Sequence, residues 1–391
     1  MRYEGAMTAQ QRVELLERVD AIGPLLEAQS GIGEGLGRLS DATVEALRGA
    51  GLLTLKVPAI LGGFEAEPAL QYEVFERVAH YDAAAAWCLF IYADTAGILG
   101  ARLPDEGLAE VFGHGEVPVC CGGGGLKPGA LTSAEDGVVL NGAWRYGSGI
   151  AAARWVMVSG YLPGADGARG RVLSCVVPRD ALAVAEDWDV HGMRATGSND
   201  FAATDVFVPR ERTFSPASAP LRGGRQYRTG VVGYLSYTIP AVCGAVARRA
   251  LAEVMATAGD AARGYAKPTS LAHRGAFQRF CGEADVRLRA ARALMLADGE
   301  DLMVAVDTPG VDLRAREART RAAAAYATRV ATDVLHELTG FAGGGPLRRG
   351  SYLERARRDV TMAASHVLID QAAYDNLGQF LLGLPGADPL G

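Results

Sequence analysis

The stretch 355–368, RARRDVTMAASHVL, places an arginine–aspartate pair, Arg358-Asp359, shortly ahead of a histidine, His366. From Ala363 to Ile369 that histidine is the only ionisable side chain, and no carboxylate occurs there. An imidazole with its ordinary pKa of about 6.5 can take or give a proton at neutral pH, so a placed histidine suits acid–base work. The plainer reading is a structural or surface histidine. Helical spacing sets it in line with Asp359, Met362, Ile369 and Asp370, beside an apolar stripe of Val360, Ala364 and Val367.

Two other stretches hold small hydroxyls among glycines and aromatics. WRYGSGIAAARW (144–155) joins two predicted strands and carries Trp144, Tyr146, Ser148, Gly149 and Trp155. Taken alone, it is a glycine-rich connection between core tryptophans. GMRATGSND (192–200) leads into FAATDVFVP and reads as a glycine-containing turn feeding an alternating edge strand. Several familiar chemistries are excluded. GGGG at 122–125 precedes Leu126-Lys127-Pro128, so it is no phosphate-binding P-loop, and no GxGxxG nicotinamide fingerprint is present. His336-Glu337 lacks the second histidine of HExxH, and the histidines and cysteines show no metal-ligand spacing. Gly147-Ser148-Gly149 is not a nucleophile elbow, because position 146 is tyrosine.

The elements that must carry these residues fall into three blocks. Helical periodicity marks 9–28, then 41–48 behind the N-cap Ser40, then about 69–80 and 82–101. From Glu116 the texture changes to short Val-rich runs at 117–121, 137–144, 155–161, 171–177, 183–190 and 202–208, separated by turn residues. Ala-rich helical segments return at 239–258, 272–304, 312–339 and 351–381. Asp312/Arg316 and Glu317/Arg321 are spaced i,i+4 with the acid first, which suits a solvated helix face. The expected domains are 1–115 helical, 116–222 antiparallel β and 223–391 a four-helix bundle, an α+β subunit that is mostly α.

With 391 residues the chain is long enough for a large core. A net charge of −6 gives no electrostatic case for nucleic acid or anionic membrane as a partner. The six cysteines form no CxxC pair, which suits reduced thiols. The first residues lack an apolar core of the signal-peptide kind, and no run is read as a membrane span, so a cytoplasmic location is expected.

The Arg358-Asp359 helix, GMRATGSND with its following strand, and Asp82-Ala83-Ala84-Ala85-Ala86-Trp87 together resemble the acyl-CoA dehydrogenase superfamily from about residue 35 to 383. In that superfamily a catalytic glutamate follows the Arg-Asp pair by roughly two helical turns, or sits on the first bundle helix. Neither 363–369 nor 231–252 contains a carboxylate here, and Glu253 beside Arg249 reads as a surface pair. A histidine in place of the glutamate, with Trp-x-(aromatic)-x-Ser-Gly at 144–149, instead resembles the two-component, flavin-dependent monooxygenase branch. Tyr146 stands where phenylalanine is usual, which changes polarity but keeps the ring.

The resemblance implies a fold of N-terminal helices, central β-domain and C-terminal four-helix bundle, usually a homotetramer. It implies an oxygenase component that takes reduced FMN or FAD from a separate flavin reductase, uses O2 and no metal, and hydroxylates or N/S-oxygenates an organic small molecule, aromatic favoured. Ser148 would lie against flavin N5 and hold the proton whose loss expels hydrogen peroxide. His366 would handle a proton beside flavin and substrate. Trp144, Tyr146, Thr196, Gly197 and Ser198 would contact the flavin, with backbone N–H groups and small hydroxyls offered to its polar edge or phosphate. Arg263 and Gln278 align with a region that reaches flavin phosphates from a neighbouring subunit. Trp87, Tyr92, Tyr234 and Tyr237 are candidate substrate walls, placed by segment and equally compatible with the core. Two other readings remain open: an acyl-CoA dehydrogenase or oxidase with a displaced base, and a non-catalytic assembly module on the same fold.

Overall fold

The computed structural model describes residues 8–113, 115–123, 127–164, 170–260, 262–263 and 269–391. Contacts divide the chain into two units. The first comprises Met1–Ala66, Trp87–Val190 and Arg194–Arg228; the second comprises Glu67–Ala86, His191–Met193 and Thr229–Gly391.

In the first unit, α1 (Ala9–Leu36) begins at a capping box formed by Thr8 and Gln11 and ends at Gly37, whose φ of 64° permits the left-handed stop. The helix runs past the expected residue 28 through Gly31, Gly33 and Gly35. A Cβ at position 33 would sit 3.1 Å from the Ala195 methyl, so a bare backbone there lets α1 lie against that turn. Next come α2 (Asp41–Gly49), capped by Ser40, then α3 (Pro68–Tyr81) of the second unit, α4 (Ala83–Arg102) and α5 (Asp105–Phe112).

The sheet of the first unit contains β1 (Cys120–Gly122), β2 (Gly129–Ala134), β3 (Gly137–Gly147), β4 (Trp155–Leu162), β5 (Arg171–Pro178), β6 (Ala183–Val184), β7 (Asn199–Pro209) and β8 (Thr213–Phe214). Their order is β6-β7-β3-β2-β4-β5-β8, with β1 paired to β4. The expectation of an antiparallel sheet needs amendment: β1–β4 and β2–β4 are parallel and the other pairs antiparallel, so the sheet is mixed. Strand β2, GALTSA, was not visible in the sequence because it has few β-branched residues; its pairing with β3 makes it a strand. The run 183–190 is a strand only at its start. The N–H groups of Asp187 and Trp188 donate instead to the Asn199 side-chain oxygen. Leu99, Leu103, Val111, Cys120, Trp155, Val176 and Phe214 form a buried cluster of this unit.

In the second unit, α6 (Val231–Leu235), α7 (Thr238–Ala256), α8 (Gly275–Asp307), α9 (Leu313–Ala342), α10 (Tyr352–Ala363) and α11 (Ala372–Leu381) build the bundle, and α3 packs on α7 and α8. A short ribbon, β9 (Ala262–Arg263) with β10 (Thr269–Ser270), precedes α8. The α9 face of Ala318, Ala322, Ala325, Val330, Val334 and Leu338 is buried, its small side chains allowing close helix approach. The acid–base pairs expected on a solvated face of α9 are not there. Asp312 caps the helix through the Arg314 and Ala315 N–H groups, and Arg316 reaches Asp298 at 2.8 Å. Glu317 is buried and accepts N–H bonds from the α6 segment, while Arg321 is 2% exposed.

Ala83–Arg102 and Val231–Ala256 are long and apolar enough to cross a bilayer, which the sequence reading passed over. In each, 83% of the apolar window is buried inside the protein, as in core helices. All six cysteines are free thiols.

Candidate active site

In the first unit, the end of β3 is bent. The β3–β7 register shifts between Trp144 and Gly147, and Tyr146 takes a φ of 67° inside that bulge. The distortion turns Tyr146 outward, 59% exposed, with its ring edge-on to Trp188 at 6.0 Å. Trp144 goes the other way, buried and stacked on Phe201 at 5.6 Å, its indole N–H unpartnered. Ser148 follows, only 4% exposed. Its Oγ accepts the indole N–H of Trp87 at 3.1 Å and lies 2.7 Å from the Ser198 hydroxyl. Ser198 in turn lies 2.7 Å from the Thr196 hydroxyl, so three hydroxyls form one buried chain.

The backbone beneath this chain is interlocked. Gly149 donates its N–H to the Thr196 carbonyl at 2.8 Å, and its own carbonyl accepts the Tyr92 hydroxyl at 3.1 Å. Gly149 has a φ of 73°, and a Cβ there would fall 2.3 Å from the Tyr92 oxygen. The position therefore requires glycine twice over, for its conformation and for its closeness to the ring. Gly197, with a φ of 51°, faces the Gly37 carbonyl in the same way. Sequence reasoning thus singled out Ser148, Thr196, Gly197 and Ser198 separately, and the fold brings them together.

In the second unit, Asp359 and Arg358 clamp the turn His191–Met193. The Asp359 carboxyl accepts the Met193 N–H at 2.6 Å, and Arg358 donates to the His191 carbonyl at 3.0 Å. A Cβ on Gly192 would lie 2.0 Å from the Arg358 carbonyl oxygen, so the turn closes only on glycine. Burial pushes the Asp359 carboxyl up to about 7; the Met193 N–H opposes this, and the Asp82 carboxylate adds to it. Asp82 itself caps α4 through the Ala84 and Ala85 N–H groups.

His366 is not within a continuous helix as its spacing suggested. The expected helix 351–381 is broken between α10 and α11, and His366 has extended geometry, φ −70° and ψ 134°. The cause is Arg321 of α9. Its guanidinium donates to the carbonyls of Val367 and Leu368 at 2.9 and 2.8 Å and to the Asp370 carboxylate at 3.1 Å. It also reaches the carbonyls of Pro389 and Leu390 at 3.0 and 3.2 Å. Carbonyls held by that fork cannot serve a continuing helix. His366 Nδ1 accepts the Leu368 N–H at 3.2 Å, which selects the neutral tautomer protonated at Nε2, and burial lowers its pKa.

Of the remaining expected residues, Trp87 and Tyr92 adjoin the Ser148–Gly149 segment and the others lie elsewhere. Tyr92 and Tyr237 are 1% exposed, and the Tyr237 hydroxyl donates to Asp298 at 2.9 Å, so both are core supports rather than open walls. Tyr234 is buried on α6, while Trp87 keeps a partly exposed ring. Gln278 is exposed and donates to the Ala272 carbonyl at the start of α8. Arg263 lies on β9, and its side chain is outside the described residues. Glu253 pairs with Arg249 at 2.9 Å on the surface, as expected. Among the described residues no cluster of metal-ligating side chains occurs. Two features escaped the sequence reading. One is the Trp87–Ser148 bond, between residues far apart in the chain. The other is a buried ion pair, Lys56–Asp94 at 3.0 Å, in which burial raises the Asp94 carboxyl to about 6 and lowers the Lys56 ammonium.

Known proteins resemble this chain over most of its length. Residues 237–371 match the family described as acyl-CoA dehydrogenase, C-terminal domain. Indole-3-acetate monooxygenase of Pseudomonas putida is 28% identical, over 89% of this chain and 89% of that protein. The flavin-dependent monooxygenase oxygenase subunit HsaA of Rhodococcus jostii is 28% identical, over 96% of this chain and 100% of that protein. The structure of XiaF from a Streptomyces species, in complex with FADH2 and glycerol, superposes with a TM-score of 0.89 at 26% identity, covering 98% of each chain. In fold and over nearly its full length, this chain is similar to flavin-dependent monooxygenases, and its C-terminal part is similar to the C-terminal domain of acyl-CoA dehydrogenases.

Proposed function

We infer that this chain is the oxygenase component of a two-component monooxygenase. It takes reduced FMN or FAD from a separate reductase and inserts one oxygen atom of O2 into an organic small molecule, with an aromatic compound favoured. The observation that carries the reading is the buried hydroxyl chain Ser148–Ser198–Thr196 at the bent end of β3. Its glycine-based backbone and its mixed donors and acceptors fit the polar edge of a flavin. When bound, reduced flavin supplies the electron pair that activates O2.

This chain's residues do the rest. Ser148 would hold the cofactor's N5 edge by a hydrogen bond and so limit wasteful loss of peroxide. Tyr146 and Trp188 offer ring surface beside it, and Gly197 keeps backbone close. His366, neutral and carrying its proton on Nε2, moves a proton at the substrate oxygen or nitrogen. By the resemblance, Arg263 and Gln278 would serve the cofactor phosphate from a neighbouring subunit of a homotetramer. Exposed Val286, Leu294 and Val304 along α8 give such an assembly apolar surface to cover. Two stretches free of carboxylate, 231–252 and 363–369, speak against α-proton abstraction from an acyl thioester.

The test supplies reduced FMN or FAD, isotopically labelled O2 and a panel of phenols and indole acids, with mass spectrometry of the products. One labelled oxygen atom per product is expected, and no turnover of acyl-CoA thioesters. Efficient formation of 2-enoyl-CoA would refute the assignment. In the same assay Ser148→Ala should keep flavin binding but release about five- to thirtyfold more peroxide per product, as loss of one hydrogen bond of about 1–2 kcal/mol requires.

A further inference from the structure

Two consecutive carbonyls of the candidate site are held by side chains from two different elements. The Gly149 carbonyl accepts the Tyr92 hydroxyl of α4 at 3.1 Å, and the Ser148 carbonyl accepts the Cys121 thiol of β1 at 3.4 Å. The thiol's other acceptor, the Gly122 carbonyl, is farther away at 3.7 Å. Both donors are buried, at 1% and 0% exposure. Burial pushes the Cys121 thiol up to about 12, and burial beside the Cys88 and Cys121 thiols pushes the Tyr92 hydroxyl up as well. Both groups therefore keep their protons, and stay donors, at any working pH.

Core packing does not account for them. Phenylalanine and alanine would fill much of the same space, and a hydroxyl taken from water into an apolar interior is costly unless it is bonded. What the two bonds fix is the pair of peptide planes on either side of Gly149. That residue has no Cβ and a φ of 73°, so it is the softest joint beside Ser148. With both flanking peptides pinned, the joint cannot swing and the Ser148 hydroxyl keeps its place. Each O2 that takes up an electron pair ends either as one inserted oxygen atom plus water or as one hydrogen peroxide.

We propose that Tyr92 and Cys121 are positioning residues that hold the Ser148 segment from behind and thereby set the share of oxygen that reaches product rather than peroxide. The proposal rests on the reading of Ser148 as the flavin contact. It moves Tyr92 from a substrate wall to the rear of the site.

The test uses the full chain with reduced FMN or FAD, O2 and whichever phenol or indole acid it oxygenates. It measures peroxide per product, substrate KM and melting, with amide exchange at 148–152 in the protein without flavin. Tyr92→Phe keeps the ring and removes only the hydroxyl. It should raise peroxide per product about two- to tenfold at unchanged KM, and speed exchange at 148–152. Cys121→Ala should act in the same direction, and Cys121→Ser, which keeps a donor, should restore the parent ratio. Tyr227→Phe deletes another buried tyrosine hydroxyl of this unit, one bonded to the Lys56 carbonyl, and should lower melting without moving the ratio. Ser148→Ala is the reference. If it raises peroxide while Tyr92→Phe and Cys121→Ala keep the parent ratio, the proposal is overturned. Parent exchange at 148–152 in Tyr92→Phe overturns it too, as does an equal shift of the ratio in Tyr227→Phe. If Ser148→Ala leaves the ratio unchanged, the flavin contact itself is refuted and the proposal falls with it. Should Tyr92→Phe fail to fold, the two Cys121 variants decide the question, and equal ratios in both overturn the proposal.

Discussion

Replacing Arg321 by methionine tests how the turn bearing His366 is built. The stem keeps its apolar packing, but the fork that serves Val367, Leu368, Asp370, Pro389 and Leu390 is lost. The exposed partners, Val367, Asp370 and Leu390, can turn to water. Pro389 keeps a bond from the Asn376 amide at 3.3 Å. The Leu368 carbonyl lies on a buried residue and has no such relief. A buried carbonyl left unpaired costs about 1–3 kcal/mol, and loss of a buried charged donor about 3–5 kcal/mol, so Arg321→Met should destabilise by about 2–5 kcal/mol. Arg321→Lys should recover only part, because an ammonium cannot reproduce the planar fork. Urea unfolding gives the magnitude, and amide hydrogen exchange at 367–370 gives the location, with faster exchange there than elsewhere in the bundle. If exchange at 367–370 stays at the parent rate and the loss is below about 0.5 kcal/mol, Arg321 does not hold the break open.

The clamp on Gly192 has a pH signature. The native Asp359 carboxyl titrates at about 7 against 3.8 for the free side chain, so the folded state binds the proton more tightly. Its contribution to stability is therefore full below pH 4 and is lost as pH rises through about 7. Asp359→Asn, which keeps an acceptor for the Met193 N–H, should flatten the unfolding midpoint over that window; an unchanged slope would show that the titration belongs to another group. Gly149→Ala combines left-handed strain of about 1–2 kcal/mol with an overpacking cost of about 1–3 kcal/mol against Tyr92, so melting should show a loss of roughly 2–5 kcal/mol, and a melt within error of the parent would contradict the close approach. His366→Asn should leave melting nearly unchanged while oxygenation falls about 10²–10⁴-fold. Because burial lowers the His366 pKa, parent activity should hold above neutrality and decline only below the ordinary histidine value, and full activity in the variant would make His366 structural.

Much of the fold was legible because periodicity reports burial. The expected helices at 69–80, 82–101, 239–258, 272–304 and 312–339 match α3, α4, α7, α8 and α9 to within a few residues. What failed depended on distant partners. The break at 364–371 is imposed by a guanidinium on another helix, and nothing local in TMAASHVLID announces it. The mixed sheet arises because β4 pairs in parallel with both β1 and β2, a register that strand composition does not encode. Arg316 and Arg321 look like partners for acids one turn earlier, but tertiary acceptors outcompete them. At the candidate site, the serine and turn motifs were legible through resemblance, while Trp87 as the partner of Ser148 was not, since indole nitrogens show no spacing signal.

The same guanidinium that shapes the His366 turn also grips the last residues of the chain, with Arg314 and Asn376 reinforcing the hold on Ala387–Pro389. The tail is thus a keystone rather than a loose end. Loss of residues 387–390 would remove acceptors of the guanidinium that also holds the turn bearing His366. A variant that loses these acceptors should then differ in oxygenation, although no residue of the proposed site is altered.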